Sequence, residues 1–314
     1  MSPSLDLALD ALRSPEELRP PALRGLSDLD AAGIDRARVI WQRLPTARRQ
    51  EAMKLLGDQA REHIELNFDK LALLGLLDTD PHVRQLSVAN LWECEDPSLM
   101  GRLLGLLDAD PDAGVRAETA RALGRFVYCC EVADVEDEEK RTLEAKLLAA
   151  AAAPEQDLRL RSLEALGFSS RPEVPPLIQA AYGSSDEESK RSAILAMGRS
   201  GDPRWREPVI AEMRSASPEM RREAAQAAGE LELRQSVPEL LELLEDANLD
   251  VQRQAIWALG QIGGKLAERG LRRLLRSAPD AEIAGEAEES LEHLAFVDST
   301  RQLEEGLRVR DEGG

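Results

Sequence analysis

Apolar residues recur along the chain at intervals that fit one face of an α-helix, and one short phrase returns many times. In GVRAETARALGRF (114–126), the side chains of Val115, Ala120 and Leu123 fall on the same side of a helix. The related phrases share one glycine-like position, occupied by Gly57, Trp92, Gly124, Gly167, Gly198, Gly229 and Gly260. The last three intervals (167 to 198, 198 to 229 and 229 to 260) are 31 residues each. A constant period of this length predicts a protein built from stacked repeats.

Each repeat predicts two helices. The phrase helix follows a turn that contains an N-capping residue, at Asp80, Asp110, Asp157, Asp186, Ser217 and Asp250. The glycine of the phrase is predicted to end this helix. A shorter, leucine-rich helix completes the unit, as in SVPELLELLED (236–246). Neither helix can bury its apolar face alone, so neighbouring units are expected to stack.

The repeated phrase resembles the HEAT-repeat family, in the variety with short repeats found in phycobilisome-type lyases. The resemblance rests on D-x-x-V-R-x-x-A-x-x-A-L-G, followed by Asp-Pro and a leucine-rich helix, and it covers residues 46–295. Trp92 in place of glycine and Gln252 in place of arginine depart from the pattern. The resemblance implies an all-α fold, a right-handed α-solenoid of about seven to eight HEAT-like helix pairs.

The repeat boundaries predict three parts of the chain. Residues 1–45 are predicted to form an N-terminal helical cap, because terminal repeats need a polar outer face. Residues 46–295 form the repeats, with an acidic insert at 129–140 that lengthens a helix or makes a rim loop. Residues 296–314 have few large apolar side chains and are predicted to be a flexible C-terminal tail.

The net charge and the amino-acid composition disfavour several classes of fold and partner. The chain has 40 Lys and Arg against 59 Asp and Glu, a net charge of −19, which is a poor match for nucleic acid or an anionic membrane. Aromatic residues make up only 3%, which disfavours a β-sandwich. The sequence has neither a membrane-length apolar run nor the features of a signal peptide. We therefore expect a cytoplasmic protein with its three cysteines reduced.

The sequence contains no strong motif for catalysis, metal binding or phosphate binding. The three histidines, His63, His82 and His293, lie in separate copies and none precedes a glutamate. Deoxyhypusine hydroxylase, a HEAT-like enzyme, holds iron through His-Glu pairs, so the resemblance does not imply that activity here. GQIGGKLAERG (260–270) lacks the spacing and the preceding strand of a phosphate-binding loop. We expect no catalytic residue, metal or cofactor, and we predict that the chain is not an enzyme.

Two further features concern the phrase helix. A basic residue near its start recurs as Arg84, Arg116, Arg159, Lys190 and Arg221, and the acidic turns precede it. In HEAT proteins such residues form an Arg–Asp ladder between repeats, so the resemblance implies a structural role for them. It also implies that the phrase helix lines the concave side of the solenoid.

Carrying the concave positions onto this chain gives a strip of candidate partner-binding residues. The strip comprises Arg121, Arg125, Leu160, Arg161, Phe168, Arg191, Leu195, Arg199 and Trp257. Taken with the concave positions that are not candidates, the first three repeats hold five arginines and the two glutamates Glu118 and Glu164, a local charge of +3. Exposed apolar residues ringed by arginine are typical of protein interfaces.

These observations predict a non-enzymatic scaffold that binds another protein in its concave groove, through an acidic or mixed apolar segment of that partner. No membrane and no nucleic acid is expected as the main partner. Two alternatives stay open at this point. One is a tetrapyrrole lyase or chaperone-like subunit, as similar repeats form, and the other is a nucleic-acid-binding HEAT-like protein.

Overall fold

The structure is a computed structural model that describes residues 4–133, 138–277 and 281–311. These residues contain α-helices, short 3-10 turns and loops, and no β-strand. The predicted all-α fold is confirmed, whereas its right-handed twist stays a prediction. The chain divides into two compact units, Met1–Ala165 and Leu166–Gly314.

The first unit begins with short helices and continues with alternating helix pairs. Its described helices are α1 (Leu5–Arg13), α2 (Pro20–Leu23), α3 (Ala31–Trp41), α4 (Thr46–Glu62), α5 (Asp69–Gly75), α6 (Pro81–Asn90), α7 (Leu99–Ala109), α8 (Ala113–Val132), α9 (Glu138–Ala150) and α10 (Gln156–Leu166). The even-numbered helices from α4 onward carry the repeated phrase. Helix α6 contacts both α4 and α8, so successive even-numbered helices lie side by side.

The second unit continues the same alternation. Its described helices are α11 (Val174–Tyr182), α12 (Glu187–Arg199), α13 (Arg206–Glu212), α14 (Pro218–Glu230), α15 (Val237–Leu243), α16 (Leu249–Ile262), α17 (Lys265–Ser277) and α18 (Ala281–Asp311). Helices α12, α14, α16 and α18 contact one another in chain order, while the odd-numbered helices pack beside them. Alanine, leucine and isoleucine side chains of both sets are buried between them.

The N-terminal helices are joined to the repeats by a continuous apolar core. Leu12, Leu26 and Trp41 belong to the same buried cluster as Leu56 of α4. Arg48 of α4 also donates to the carbonyls of residues 11, 12 and 14, where α1 ends and its carbonyls lack helical partners. The role of residues 1–45 as a cap stays a prediction.

The repeat turns follow a regular hydrogen-bonding pattern, but three of the six predicted caps are wrong. Asp157 lies inside α10, which begins at Gln156. Asp80, Asp186 and Ser217 accept from the backbone N–H three residues later, as predicted. In two other turns the cap is Asp112 or Asn248. Asp110 and Asp250, the predicted caps there, lie two residues to either side, because the acidic turns offer two polar residues and only one occupies the capping position.

The predicted Arg–Asp ladder is present at Arg84 and Arg221, where the acids are the ones two residues before the caps. Arg116 pairs with Glu155 instead, and Arg159 donates to backbone carbonyls. Arg84 donates to both carboxylate oxygens of Asp110 at 2.7 Å, and Arg221 pairs in the same way with Asp246 at 2.7 and 2.8 Å. Asp110 also accepts from the N–H of Asp112, so one carboxylate shapes the turn and binds the preceding repeat. The arginine completes the contact by donating to carbonyls of its own turn.

The prediction that glycine ends the phrase helix is wrong in most copies. Gly57, Gly124, Gly198 and Gly260 lie inside their helices, and Gly124 is followed by eight further helical residues of α8. A β-carbon on Gly198 would lie 2.7 Å from Cα of Ala227. The glycine therefore serves close approach of the next even-numbered helix, since no side chain fits there.

The insert and the tail both extend helices. Residues 129–132 belong to α8 and residues 138–140 to α9, while 134–137 lie outside the described residues. The buried Lys140 places its ammonium group 3.3 Å from the carboxylate of Glu131, which joins the two helices. Helix α18 runs to Asp311, so helical structure passes the predicted boundary at 295. The flexibility of the tail stays a prediction.

We expect Gly198→Ala to lower the free energy of unfolding by about 1–3 kcal/mol, because the new methyl group must displace the backbone of α14. The matched control is Gly285→Ala in α18, where a β-carbon meets nothing within 4 Å. There, alanine should stabilise the helix by about 0.5–1 kcal/mol. Urea denaturation measures both changes, and equal effects of the two substitutions would contradict the close-approach role.

We expect Asp110→Ala to lower the free energy of unfolding by about 3–5 kcal/mol, because it leaves the guanidinium of Arg84 buried without its counter-ion. Asp10→Ala is the control, since it removes an ion pair of the same kind whose side chains are 58% and 70% exposed. Its expected effect is below about 1 kcal/mol. Similar losses for both variants would show that the ladder does not hold the repeats together.

Candidate protein-binding groove

In the first unit, the predicted strip arginines are paired with glutamates. The guanidinium of Arg121 lies 3.0 and 3.1 Å from the carboxylate oxygens of Glu118, which raises the pKa of Arg121. Arg161 donates to Glu164 at 2.9 Å, and Glu164 is only 5% exposed. The two glutamates also act electrostatically on the opposite arginines, so α8 and α10 share one compensated cluster.

Arg125 has a structural contact of its own. It donates to the carbonyl of Trp92 at 2.5 Å and to that of Cys94 at 2.6 Å, in the turn that follows α6. Its guanidinium also lies 4.6 Å from the ring centroid of Phe126. Arg125 therefore satisfies carbonyls at a helix end, in the position where Trp92 replaces the usual glycine.

The expectation that Leu160 is exposed for a partner is wrong. Leu160 is 4% exposed, and Ala117 at the equivalent position of α8 is 5% exposed. The position lies two residues after the first apolar residue of the phrase. Because the even-numbered helices approach so closely, a side chain here is enclosed by its neighbours instead of facing solvent.

In the second unit, Phe168 and Arg199 come together. Both side chains are half-buried, and the guanidinium carbon of Arg199 lies 5.0 Å from the ring centroid of Phe168, within cation–π range. Leu195 and Arg191, on the same helix as Arg199, are also half-buried. The pKa of Glu219 in α14 is lowered mainly by a hydrogen bond from its own backbone N–H, and the positive charge of Arg191 contributes to the lowering.

Glu230 of α14 faces this region, and its carboxylate is only partly hydrogen-bonded. One carboxylate oxygen accepts from Gln226 at 2.9 Å, while the other is buried without a hydrogen-bond donor among the described residues. Burial raises the pKa of Glu230, although Gln226 and the charge of Arg199 act in the opposite direction. Glu118 and Glu164, which face Arg121 and Arg161, are already included in the predicted charge of +3, and Glu219 and Glu230 act on Arg191 and Arg199. The expectation of an acidic or mixed apolar partner segment stays a prediction.

Trp257 lies apart from the other predicted residues, in a groove between α16 and α18. The groove has a volume of about 610 Å³ and is lined by Arg253, Gln254, Ile256, Trp257, Gln261, Glu286, Glu289, Ser290, Glu292 and His293. Trp257 is 36% exposed. Its benzene ring lies against Gly229, where a β-carbon would be 2.5 Å from Cζ3. The glycine of α14 therefore makes the space in which the indole lies.

Among the described residues, the charged side chains of the groove are paired at one end only. Arg253 lies at one end and forms ion pairs with Glu282 at 2.6 Å and with Glu286 at 3.2 Å. Glu289 and Glu292 are exposed and form no ion pair with any described residue. The groove therefore combines an exposed aromatic surface with two uncompensated carboxylates.

One comparison with known proteins matches this region. A family model described as HEAT repeats matches residues 206–292, which include α13 to α17 and the start of α18. This part of the chain is similar to HEAT repeats. The predicted resemblance is confirmed, and the α16–α18 groove lies largely within the matched residues. No curated protein matches the chain significantly.

Solved structures with similar folds come from several proteins. The Escherichia coli protein YibA is 16% identical with a TM-score of 0.46, and the match covers 89% of this chain and 98% of that one. Human deoxyhypusine hydroxylase is 19% identical with a TM-score of 0.39, covering 93% and 96%. The CpcE–CpcF complex of phycocyanin lyase from Nostoc is 17% identical with a TM-score of 0.47, covering 72% and 94%.

The prediction that the chain is not an enzyme is contradicted by these neighbours, because one is an enzyme and another is a complex of an enzyme's components. What the comparisons support is a repeat scaffold built from HEAT repeats. Among the described residues, no three or more His, Cys, Asp or Glu side chains are grouped as a metal site would require. No described helix has the length and apolar character needed to cross a membrane.

Two residues of the groove, Glu289 and His293, were missed by the sequence reasoning. They lie 32 residues after Trp257 and Gln261. This is also the distance from Gly260 to Glu292, the glycine-like position of a degraded last copy of the phrase, EIAGEAEESLEHL (282–294). Extending the strip by one period would have identified them. The ring of His293 lies 3.1 Å from the side-chain oxygen of Gln261, so the structure confirms that the equivalent positions are neighbours.

We expect Glu230→Gln to raise the free energy of unfolding near neutral pH by about 1 kcal/mol, since it removes a charge held in a poorly solvated site. Folding raises the pKa of Glu230, so the folded state favours the protonated carboxyl. Below the unfolded pKa of about 4.3 the side chain is protonated in both states and costs no stability, and the cost appears as the pH rises and the carboxyl ionises. The advantage of the variant should therefore disappear in acid.

The control is Glu219→Gln. The pKa of Glu219 is lowered by hydrogen bonds from its own backbone N–H and from Ser217, so this change should weaken the fold at neutral pH. Urea denaturation at pH 7 and at pH 4 measures both variants. A destabilised Glu230→Gln protein at pH 7 would show that the carboxylate is well solvated or well paired.

Proposed function

We propose that the chain is a HEAT-repeat scaffold that binds another protein in the groove between α16 and α18. The observation that carries this proposal is the position of Trp257, a tryptophan 36% exposed inside a groove of about 610 Å³. Tryptophan is enriched among the residues that dominate binding energy, especially in pockets where a partner can exclude water. HEAT solenoids offer extended surfaces of this kind to other macromolecules.

The surroundings of Trp257 support a preformed site. Gly229 gives the indole its space, and the close approach of α14 and α16 holds both residues on helices. A rigid aromatic side chain loses little conformational freedom on binding. Gln254 and Gln261 lie beside it and can exchange hydrogen bonds with the backbone of a bound segment.

The remaining residues of the predicted strip are not assigned to the binding site itself. A second, half-buried region is formed by Phe168, Arg191, Leu195 and Arg199. Its two arginines already interact with other residues of this chain, Arg199 with Phe168 and Arg191 with Glu219. We assign them a supporting role, and we assign Arg121, Arg125 and Arg161 to the stability of the first unit. The cytoplasmic location predicted from composition remains part of the proposal.

Comparative affinity capture from the native cell tests the proposal. The wild-type chain, Trp257→Ala and Trp92→Ala serve as baits, and captured proteins are quantified for each. Loss of a central aromatic anchor costs about 2 kcal/mol, or about thirtyfold in affinity. We therefore expect at least one partner to be retained by the wild type and depleted on Trp257→Ala.

Trp92→Ala is the matched control, because Trp92 is 48% exposed but lies in the other unit, outside the groove. Thermal melting by circular dichroism checks that both variants stay folded. The proposal fails if Trp257→Ala captures every wild-type partner in full, or if Trp92→Ala loses the same ones.

A further inference from the structure

We infer that the occupant of the α16–α18 groove is a basic segment of the partner protein, with a lysine or arginine side chain over Trp257 and its charge beside Glu289 and Glu292. This inference rests on the proposed function and adds the chemistry of the partner. It reverses the acidic partner expected from the sequence.

The aromatic surface is the first step of the argument. The indole of Trp257 lies against Gly229 and keeps about a third of its surface open to the groove. Tryptophan gives the strongest cation–π interactions of the aromatic side chains. Lysine and arginine also bury their aliphatic stems against such a ring while their charged ends remain in contact with water.

The carboxylates opposite Trp257 are the second step. Glu289 and Glu292 are three residues apart on α18, so they lie on neighbouring positions of one helix face. Both line the groove, and neither has a cationic partner among the described residues. Glu286, by contrast, is paired with Arg253 at the end of the groove. A ligand cation would therefore meet two carboxylates whose charge no side chain of the described chain offsets.

The wider charge distribution is the third step. Between residues 281 and 297, helix α18 carries five glutamates and no lysine or arginine. The groove lining holds Arg253 against Glu286, Glu289 and Glu292, and the whole chain has a net charge of −19. This field attracts a basic segment and disfavours an acidic peptide or a nucleic acid. Charge complementarity thus selects the occupant that the aromatic surface can also hold.

Titration of the full chain with three short peptides tests the inference. One alternates arginine and leucine, one alternates glutamate and leucine, and one alternates glutamine and leucine. Isothermal titration calorimetry measures the dissociation constants at low and at physiological salt. We expect measurable binding of the arginine peptide only, weakening as salt is added.

Variants then localise the binding. Trp257→Ala should weaken the arginine peptide at least about tenfold. Glu289→Gln should weaken it by about twofold to fivefold, as expected for one exposed charge pair. Glu288→Gln is the matched control, because it removes the same charge from the adjacent exposed residue of α18, which does not line the groove. Its affinity should equal that of the wild type.

The outcomes separate this inference from the proposed function. Equal weakening by Glu288→Gln and Glu289→Gln would show attraction to the overall charge and would overturn the inference. Preferential binding of the glutamate or glutamine peptide would overturn it too. If captured partners are depleted on Trp257→Ala but unaffected by Glu289→Gln with Glu292→Gln, the groove binds protein of another chemistry, and only the inference fails. If Trp257→Ala loses no partner, the proposed function itself fails.

Discussion

The close approach of successive even-numbered helices at a glycine is the constraint on which each repeat depends. A β-carbon on Gly124, Gly167, Gly198 or Gly229 would lie 2.7–3.2 Å from the Cα atom of an alanine in the next helix. Contacts this short leave no room for a larger side chain, so each helix is fixed against the next. The Arg–Asp pairs, buried at Arg84 and partly buried at Arg221, act at the other end of the same helices and hold the turns in place.

This constraint also decides what the strip can expose. Side chains two residues into the phrase, such as Ala117 and Leu160, are enclosed by the neighbouring helix. Long charged side chains further along still project, but they meet glutamates at short range, as Arg161 meets Glu164. Close stacking therefore turns most of a predicted interface into internal contacts, and it leaves few positions available to a partner.

The period of the phrase allowed the helix pairs and the capping turns to be predicted from the sequence, and the resemblance to HEAT repeats implied an ion-pair ladder. It could not show which acid of a turn such as Asp110-Pro-Asp112 caps and which one pairs, because both have the same chemistry and lie within one turn. It also could not show that the glycines lie within helices, since end positions and close contacts both favour glycine. For the site, Trp257 was predicted, whereas Glu289 and His293 were missed because the strip was not extended into the degraded copy at 282–294.

The special character of the groove follows from comparing one strip position across the repeats. Six residues after the position that Val115 holds in the phrase, the successive copies carry Arg121, Glu164, Leu195, Gln226, Trp257 and Glu289. In the earlier copies the charged or amide side chain bonds within its own helix, as in Arg121 with Glu118 and Gln226 with Glu230. Trp257 cannot be satisfied in this way, because its ring surface has no hydrogen-bonding capacity and its neighbour in the next copy is a carboxylate. An aromatic surface beside an unpaired carboxylate is stabilised most by a cation, and the described chain supplies none at that point.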